Sequence, residues 1–150
     1  MTIIAWDGKT LAADKQGTWQ GLPRTVTKIF RAGDELVGVA GNQCEGYDMV
    51  AWVTAGCDPE KFPVNQKDEK LWASCLVILR DGKIFLYERS PNPCEIEDKF
   101  TACGSGRDYA IAAMHLGKSA REAVEIACLF DTGCGNGVDV LDLIEKGLVA

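Results

Sequence analysis

The first residues of the chain place a nucleophile beside a base. Met1 is followed at once by Thr2, then by an apolar segment, an Asp7-Gly8 turn and a second apolar segment that ends at Asp14. If Met1 is removed, the Thr2 hydroxyl and a free α-amine belong to one residue, and an amine with a pKa near ~8 can accept a proton close to neutral pH. This is the N-terminal threonine form of nucleophilic catalysis. The alternative, from these residues alone, is that Thr2 merely begins an edge strand.

The composition limits the class of protein. The chain has 150 residues, of which 47% are hydrophobic and 25% charged, as in an ordinary globular protein, so we expect a single domain over residues 1–150. A formal net charge of −6 without a cluster of Lys and Arg argues against a nucleic-acid partner. The apolar runs are too short to span a membrane, and the first residues do not form a secretory signal. We therefore predict a cytoplasmic protein.

The cysteines and the histidine do not suggest a metal or redox site. The seven cysteines lack a C-x-x-C pair, and His115 is the only histidine. Most of the cysteines are therefore predicted to be reduced, small hydrophobic residues of the core. His115 is interpreted as a helix-surface or core residue, and no cofactor is implied.

Apolar segments separated by turn dipeptides predict antiparallel strands. The turn signals are Asp7-Gly8, Gly33-Asp34 and Asp81-Gly82. Gly17, Gly21 and Pro23 indicate that residues 15–24 form a loop with a short extended piece. Strands are predicted at residues 2–6, 10–13, 25–32, 36–40, 74–80, 83–88, 100–103 and 138–143.

Three segments show a helical pattern. Residues 43–55 and about 107–116 form the first two. The polar residues 57–70, which follow the first helix and contain two prolines, are predicted as a loop with room for a helical turn. The third helix starts at a capping box, Ser119 to Glu122, and its apolar stripe consists of Ala123, Ile126, Ala127 and Phe130. The element order predicts one layered α+β domain.

The chain resembles a known family at several places in the same order. Its opening, with Thr2, Asp7-Gly8 and Leu-Ala-Ala-Asp ending at Asp14, resembles that of proteasome β-type subunits and of the bacterial peptidase HslV, which are N-terminal nucleophile (Ntn) hydrolases. Further similar segments are Thr27-Lys28-Ile29, Val39-Ala40-Gly41, Ala102-Cys103-Gly104-Ser105-Gly106 and Phe130-Asp131-Thr132-Gly133-Cys134-Gly135. The resemblance implies a four-layer αββα sandwich with two antiparallel sheets between helix layers.

The resemblance also implies a role for each matching residue. Thr2 is the nucleophile and, once Met1 is removed, the base; Lys28 is the cation that lowers the pKa of its amine or hydroxyl. Asp14 holds Lys28 charged, although from the residues alone this pair could be a plain surface ion pair. The N–H of Gly41 faces the oxyanion, or Gly41 is only a strand-to-helix turn.

Three more residues are expected to support Thr2. Ser105 is either a helix cap or a partner of the Thr2 amine, and Asp131 is either a turn residue or part of the same network. Cys134 stands where the family has serine, and a thiol is the weaker hydrogen-bond donor. The chain also departs from the family in a short first hairpin and in a short segment before Ser74.

The implied function is that of a threonine-type peptidase. Its expected partners are a peptide or unfolded-protein substrate, other copies of the chain in a homo-oligomeric ring, and an ATP-dependent unfoldase where one is needed to feed it. Two alternatives remain open. One is a non-catalytic ring or shell subunit with a vestigial site, in which Met1 stays attached. The other is an Ntn amidase that acts on small amides.

Overall fold

The structure, a computed structural model, describes residues 1–143. It contains eleven strands and three α-helices, with two short 3₁₀ turns at Pro59–Lys61 and Val64–Lys67. The helices are α1 (Gln43–Thr54), α2 (Arg107–His115) and α3 (Ala120–Phe130). The strands are β1 (Ile4–Trp6), β2 (Thr10–Asp14), β3 (Gln16–Trp19), β4 (Leu22–Thr25), β5 (Ile29–Ala32), β6 (Glu35–Gly41), β7 (Ala73–Ile78), β8 (Ile84–Tyr87), β9 (Cys94–Ile96), β10 (Thr101–Cys103) and β11 (Val138–Asp142).

The first sheet carries the amino terminus in its centre. Its order is β10-β1-β2-β11 and all of its neighbours are antiparallel, with Ile4 opposite both Ala13 and Cys103. The β1–β2 hairpin forms because Asp7 Oδ1 accepts hydrogen bonds from the N–H groups of Lys9 and Thr10, while Gly8 supplies a φ of +98°. Because β1 lies between β10 and β2, Thr2, two residues before the first residue of β1, enters the sheet at its centre.

The second sheet has the order β5-β6-β7-β8-β9 and is also antiparallel throughout. Its central strands are almost wholly apolar and buried, as expected for strands covered on both faces. Gly41 ends β6 with a φ of +121°, and the next residue, Asn42, caps α1 by accepting a hydrogen bond from Glu45 N. The end of this strand is therefore also the start of a helix.

Three apolar clusters show the layering. Helices α2 and α3 pack on the outer face of the first sheet, and α1 packs on the outer face of the second. The cluster between the sheets includes Ile4, Leu11, Leu36 and Leu76. This arrangement confirms the predicted α+β, four-layer αββα sandwich with its two antiparallel sheets.

Helix α3 begins as the sequence predicts. Ser119 accepts a hydrogen bond from Glu122 N, and the Glu122 carboxylate accepts one from Ser119 N, so the capping box is complete. Its buried stripe is different, because Ala120 and Val124 are buried whereas Phe130 is 63% exposed. The prediction for Phe130 is wrong: its ring stacks on Tyr109 of α2, 5.5 Å between centroids, instead of entering the core.

Residues 15–24 are not the predicted loop. They form most of a hairpin, β3 paired with β4, in which Gln20 and Gly21 have φ values of 50° and 78°. Positive φ at both central residues is the type I′ turn, but Gln-Gly is not the Asn-Gly or Asp-Gly pair that signals it. Pro23 also disguises the strand, and it is tolerated because this sheet has only two strands and so only edges.

Smaller points concern other strands and the cysteines. The strand predicted at residues 25–32 is regular only over Ile29–Ala32, and the edge strand β9 was not predicted. All seven cysteines are free thiols; Cys75 and Cys134 are buried, and the half-buried Cys57, Cys103 and Cys128 pack against the apolar clusters, so most cysteines lie in or against the core as predicted. The 3₁₀ turns confirm the predicted loop with helical turns before β7.

No helix within residues 1–143 is long and apolar enough to cross a membrane.

Candidate active site

Thr2 lies just before β1 and is enclosed by the loop that leads into α2. Its residue exposure is 5%, and its N–H donates a hydrogen bond of 3.2 Å to Ser105 Oγ. Gly104 passes so close that a Cβ there would overlap the carbonyl oxygen of Thr2, and its φ is +99°. Only glycine fits at this position, which explains why the Gly-Ser-Gly segment can hold Thr2 on one side.

Asp14 and Lys28 form a buried ion pair. Lys28 Nζ lies 2.8 Å from Asp14 Oδ1, and their side chains are 2% and 0% exposed. The carboxylate also accepts hydrogen bonds from the N–H groups of Ile3, Gln16 and Gly135, at 3.1, 3.2 and 3.0 Å. These neutral donors help to offset the cost of burying the charges, so the pair is held rigidly and is not a plain surface ion pair.

The ammonium group of Lys28 faces the peptide bond that precedes Thr2. Its Nζ donates to the carbonyl oxygen of Met1 at 3.2 Å while it is bound to Asp14. The same carboxylate oxygen that binds Lys28 also accepts from Ile3 N, on the other side of Thr2. The pair therefore lies directly against the backbone of the predicted nucleophile.

Ser105 links Thr2 to the two remaining predicted residues. Its Oγ is 3.9 Å from Cys134 Sγ and 3.4 Å from the carbonyl oxygen of Thr2. The pKa of Asp131 lies below its usual range. The main cause is hydrogen bonding from Ser105, to which the Gly133 N–H adds, and together they outweigh burial, which raises the pKa. Burial is the main cause that raises the pKa of Cys134 to about 12, and the Asp14 charge adds to it. The Cys134 thiol is therefore protonated at neutral pH.

Two cavities of about 450 Å³ each flank Thr2. The first, here called the hairpin cavity, is bounded by the β3–β4 hairpin and the start of α1, with Trp19, Val26 and Tyr47 on its wall. The second, the loop cavity, extends towards Trp72 and the loop before α2. Met1, Thr2, Gly41 and Asn42 line both cavities, which places Gly41 beside Thr2 where they meet.

The structure thus brings together all seven residues singled out in the sequence: Thr2, Asp14, Lys28, Gly41, Ser105, Asp131 and Cys134. Sequence reasoning missed the contact of Gly133, where a Cβ would overlap the Met1 side chain. It also missed that Gly135 N–H binds Asp14. The three glycines at positions 133, 135 and 137 were a visible signal, because closely spaced glycines often permit close backbone approach.

No family model matches the chain, but comparisons with individual proteins find similar sequences. The chain is 27% identical to proteasome subunit beta 1 of Thermococcus onnurineus (strain NA1) and 26% identical to proteasome subunit beta 1 of Thermococcus kodakarensis. Each alignment covers 97% of this chain and 87% of the relative. The sequence similarity therefore extends over nearly the full length.

Solved structures show the same fold. Thiobacillus denitrificans BPH in complex with Epoxomicin superposes with a TM-score of 0.72 at 22% identity, over 96% of this chain and 100% of that one. Eukaryotic HslV from Trypanosoma brucei gives a TM-score of 0.69 at 22% identity, over 94% and 97% of the two chains. The chain is therefore similar in sequence to proteasome β subunits and has the fold of HslV, as the resemblance noted in its sequence implies.

Proposed function

We propose that this protein is a threonine-type peptidase that cleaves peptide bonds with Thr2 after Met1 has been removed. The observation that carries the proposal is the buried Asp14–Lys28 pair, whose ammonium group lies 3.2 Å from the carbonyl oxygen of the Met1–Thr2 peptide bond. A buried cation beside a hydroxyl and an amine favours the deprotonated form of either group. A purely structural ion pair has no need to end at this backbone position.

The first step forms an ester. The Thr2 amine, directly or through a water molecule, takes the hydroxyl proton, and Oγ attacks the carbonyl carbon of the substrate. The Gly41 N–H is proposed to stabilise the oxyanion, a contribution of about 3–4 kcal/mol for such a donor. The C–N bond then breaks, and the leaving amine takes the proton from the Thr2 ammonium.

The second step releases the product. Water attacks the ester carbonyl, the Thr2 amine takes one of its protons, and the C–O bond breaks to give a carboxylic acid. The proton returns to Oγ, so the enzyme is restored and one water has been consumed. Ser105 already binds the Thr2 nitrogen at 3.2 Å, and with Asp131 and Cys134 it is proposed to orient the free amine.

With Met1 attached, the mechanism is blocked. The Thr2 nitrogen is then an amide, which is not a base, and Lys28 is occupied by the Met1 carbonyl. Met1 also lines both cavities, so its removal would open space beside Thr2 in each of them. Thr2 is small enough for ordinary methionine removal, and that removal is the activation step.

The proposal extends to assembly and substrate. Similarity to proteasome β subunits and HslV supports a homo-oligomeric ring that encloses the sites, a peptide or unfolded-protein substrate, and an ATP-dependent unfoldase as a candidate partner. A ring subunit with a vestigial site would share this fold and assembly. It would differ in keeping Met1 or in failing to react at Thr2.

Intact mass spectrometry with and without Epoxomicin tests the proposal. We expect loss of Met1 and one adduct in the native protein, the same result for Thr2→Ser, and no adduct for Thr2→Ala. Thr2→Ala also detects a side reaction, because the exposed Cys44 lines the hairpin cavity and would still be modified in it. A full-length mass with Met1 and no adduct would support the non-catalytic alternative.

A further inference from the structure

The two cavities beside Thr2 carry a local charge opposite to that of the whole chain. The formal net charge is −6, yet Arg24 lines the hairpin cavity, and Lys70 and Arg107 line the loop cavity. No Asp or Glu among residues 1–143 lines either cavity. The lining is therefore basic on both sides of Thr2.

Most of this positive charge is not neutralised. Lys28, which also lines the hairpin cavity, is paired with Asp14, but Arg24 and Lys70 have no carboxylate partner within residues 1–143. Arg107 has one exposed partner, Asp108, at 3.9 Å, a pair that solvent screens strongly. Within the part of the chain that the structure describes, Arg24 and Lys70 thus provide one cation without a carboxylate partner in each of the two cavities that flank Thr2.

The hairpin cavity also offers an apolar surface. Trp19 is 63% exposed and Tyr47 is 44% exposed, and together with Val26 they form its wall. Large exposed aromatic side chains beside a cavity are suited to an apolar or aromatic residue of a bound chain. The hairpin cavity therefore combines an apolar wall with the basic Arg24, and the loop cavity on the other side of Thr2 adds Lys70 and Arg107.

We infer that the Thr2 site selects acidic peptide segments, in which an apolar or aromatic residue at the cleavage point is flanked by Asp or Glu. This inference rests on the proposed peptidase function and adds the substrate class. Complementary charge raises the rate of encounter and disfavours partners of the wrong sign. An acidic exterior repels such segments, so their capture would occur at the basic cavities rather than elsewhere on the surface.

The test uses internally quenched peptides with a central Phe flanked by Glu, by Gln or by Lys. We expect kcat/KM to be greatest for the Glu peptide and smallest for the Lys peptide, with a gain of about two- to fivefold per exposed cation engaged. Raising the ionic strength from about 0.1 to about 1 M shortens the Debye length from ~10 to ~3 Å and should remove most of the difference.

A double variant locates the effect. Arg24→Gln with Lys70→Gln should lower kcat/KM for the Glu peptide to near that of the Gln peptide, which removes the preference for flanking acidic residues. Lys83→Gln is the matched control, because it removes an exposed charge from the turn between β7 and β8, outside both cavities. Equal cleavage of the Glu and Lys peptides, or the same loss in Lys83→Gln, would overturn the inference while leaving the peptidase function intact.

Binding provides a readout that does not need hydrolysis. The affinity of Thr2→Ala for the three peptides, measured by fluorescence anisotropy, should follow the same order. If no peptide is cleaved by the native protein and Epoxomicin forms no adduct, the proposed function fails. If the Glu peptide also binds no more tightly than the Lys peptide, the selection of acidic segments fails independently.

Discussion

Lys28 Nζ and Asp14 Oδ1 lie 2.8 Å apart with side-chain exposures of 2% and 0%, beside the peptide bond between Met1 and Thr2. A second Lys–Asp pair, Lys15 with Asp139, is closer at 2.6 Å but is 22% and 33% exposed. Because solvent screens the second pair and not the first, their energies differ although their geometry is similar. The chain thus contains its own control for the buried pair.

Lys28→Met should be strongly destabilising and inactive. The methionine retains a similar volume but leaves the Asp14 charge buried with only backbone N–H partners, so we expect a loss of about 3–5 kcal/mol in the free energy of unfolding. Lys15→Met should cost about 0–1 kcal/mol. Urea denaturation followed by tryptophan fluorescence measures both changes.

Activity is then compared on samples whose circular dichroism matches that of the native protein. Lys28→Met should show no peptide hydrolysis, and Lys15→Met should retain it. A folded Lys28→Met protein with native turnover would contradict the role given to this cation. A similar, small stability change in both variants would instead show that the buried pair is not strongly coupled to folding.

Local sequence patterns were sufficient for much of the fold. The Asp7-Gly8 turn, the capping box at Ser119 and the apolar strand that ends at Gly41 each combine a recognisable residue type with a single local structure. The β3–β4 hairpin and Phe130 could not be predicted in the same way. The first depends on an uncommon Gln-Gly turn, and the second on stacking against Tyr109, which is distant in sequence.

The site shows the same division. Its residues were selected by a family resemblance, and the structure places them together, but their catalytic roles stay predictions. The sequence could not reveal that one Asp14 oxygen serves both Lys28 and Ile3 N, or that Gly104 contacts the Thr2 carbonyl. These contacts join segments that are far apart along the chain, so no local pattern encodes them.

Cys134→Ser should increase activity. Serine is a stronger hydrogen-bond donor than cysteine, and the Cys134 thiol lies 3.9 Å from the Ser105 hydroxyl that binds the Thr2 nitrogen. One improved hydrogen bond is worth about 1 kcal/mol, which corresponds to about a fivefold rise in kcat/KM if it acts in the transition state. Steady-state hydrolysis of a fluorogenic peptide measures the change, and a decrease in kcat/KM would contradict the supporting role of this position.

Gly104→Ala should disrupt Thr2. A Cβ at this position overlaps the Thr2 carbonyl oxygen, which is backbone and cannot move aside cheaply, so both stability and hydrolysis should fall. Gly82→Ala is the matched control, because its φ of +91° is similar and no atom lies within 4 Å of the added carbon. The free energy of unfolding of Gly82→Ala should fall by only about 1–2 kcal/mol, the cost of a left-handed backbone conformation for alanine, and its activity should be unchanged. Equal effects in thermal denaturation and in the peptide assay would show that the contact with Thr2 has no special importance.

Asp131→Asn should remove a pH-dependent part of the stability. Hydrogen bonding from Ser105 and Gly133 lowers the pKa of the folded Asp131 from 3.8, so the ionised carboxylate is the form that folding favours. A lowered pKa in the folded state contributes stability above the unfolded pKa, and that contribution is lost as the pH falls through the folded value. The native protein should therefore exceed Asp131→Asn in the free energy of unfolding by a constant amount above about pH 5, and the gap should narrow below pH 3.8.

Urea denaturation at a series of pH values measures this gap in the free energy of unfolding. Because the asparagine can still accept a hydrogen bond from Gly133 but carries no charge, a gap that stays constant down to the lowest pH would mean that the charge of Asp131 contributes nothing to the Ser105 network.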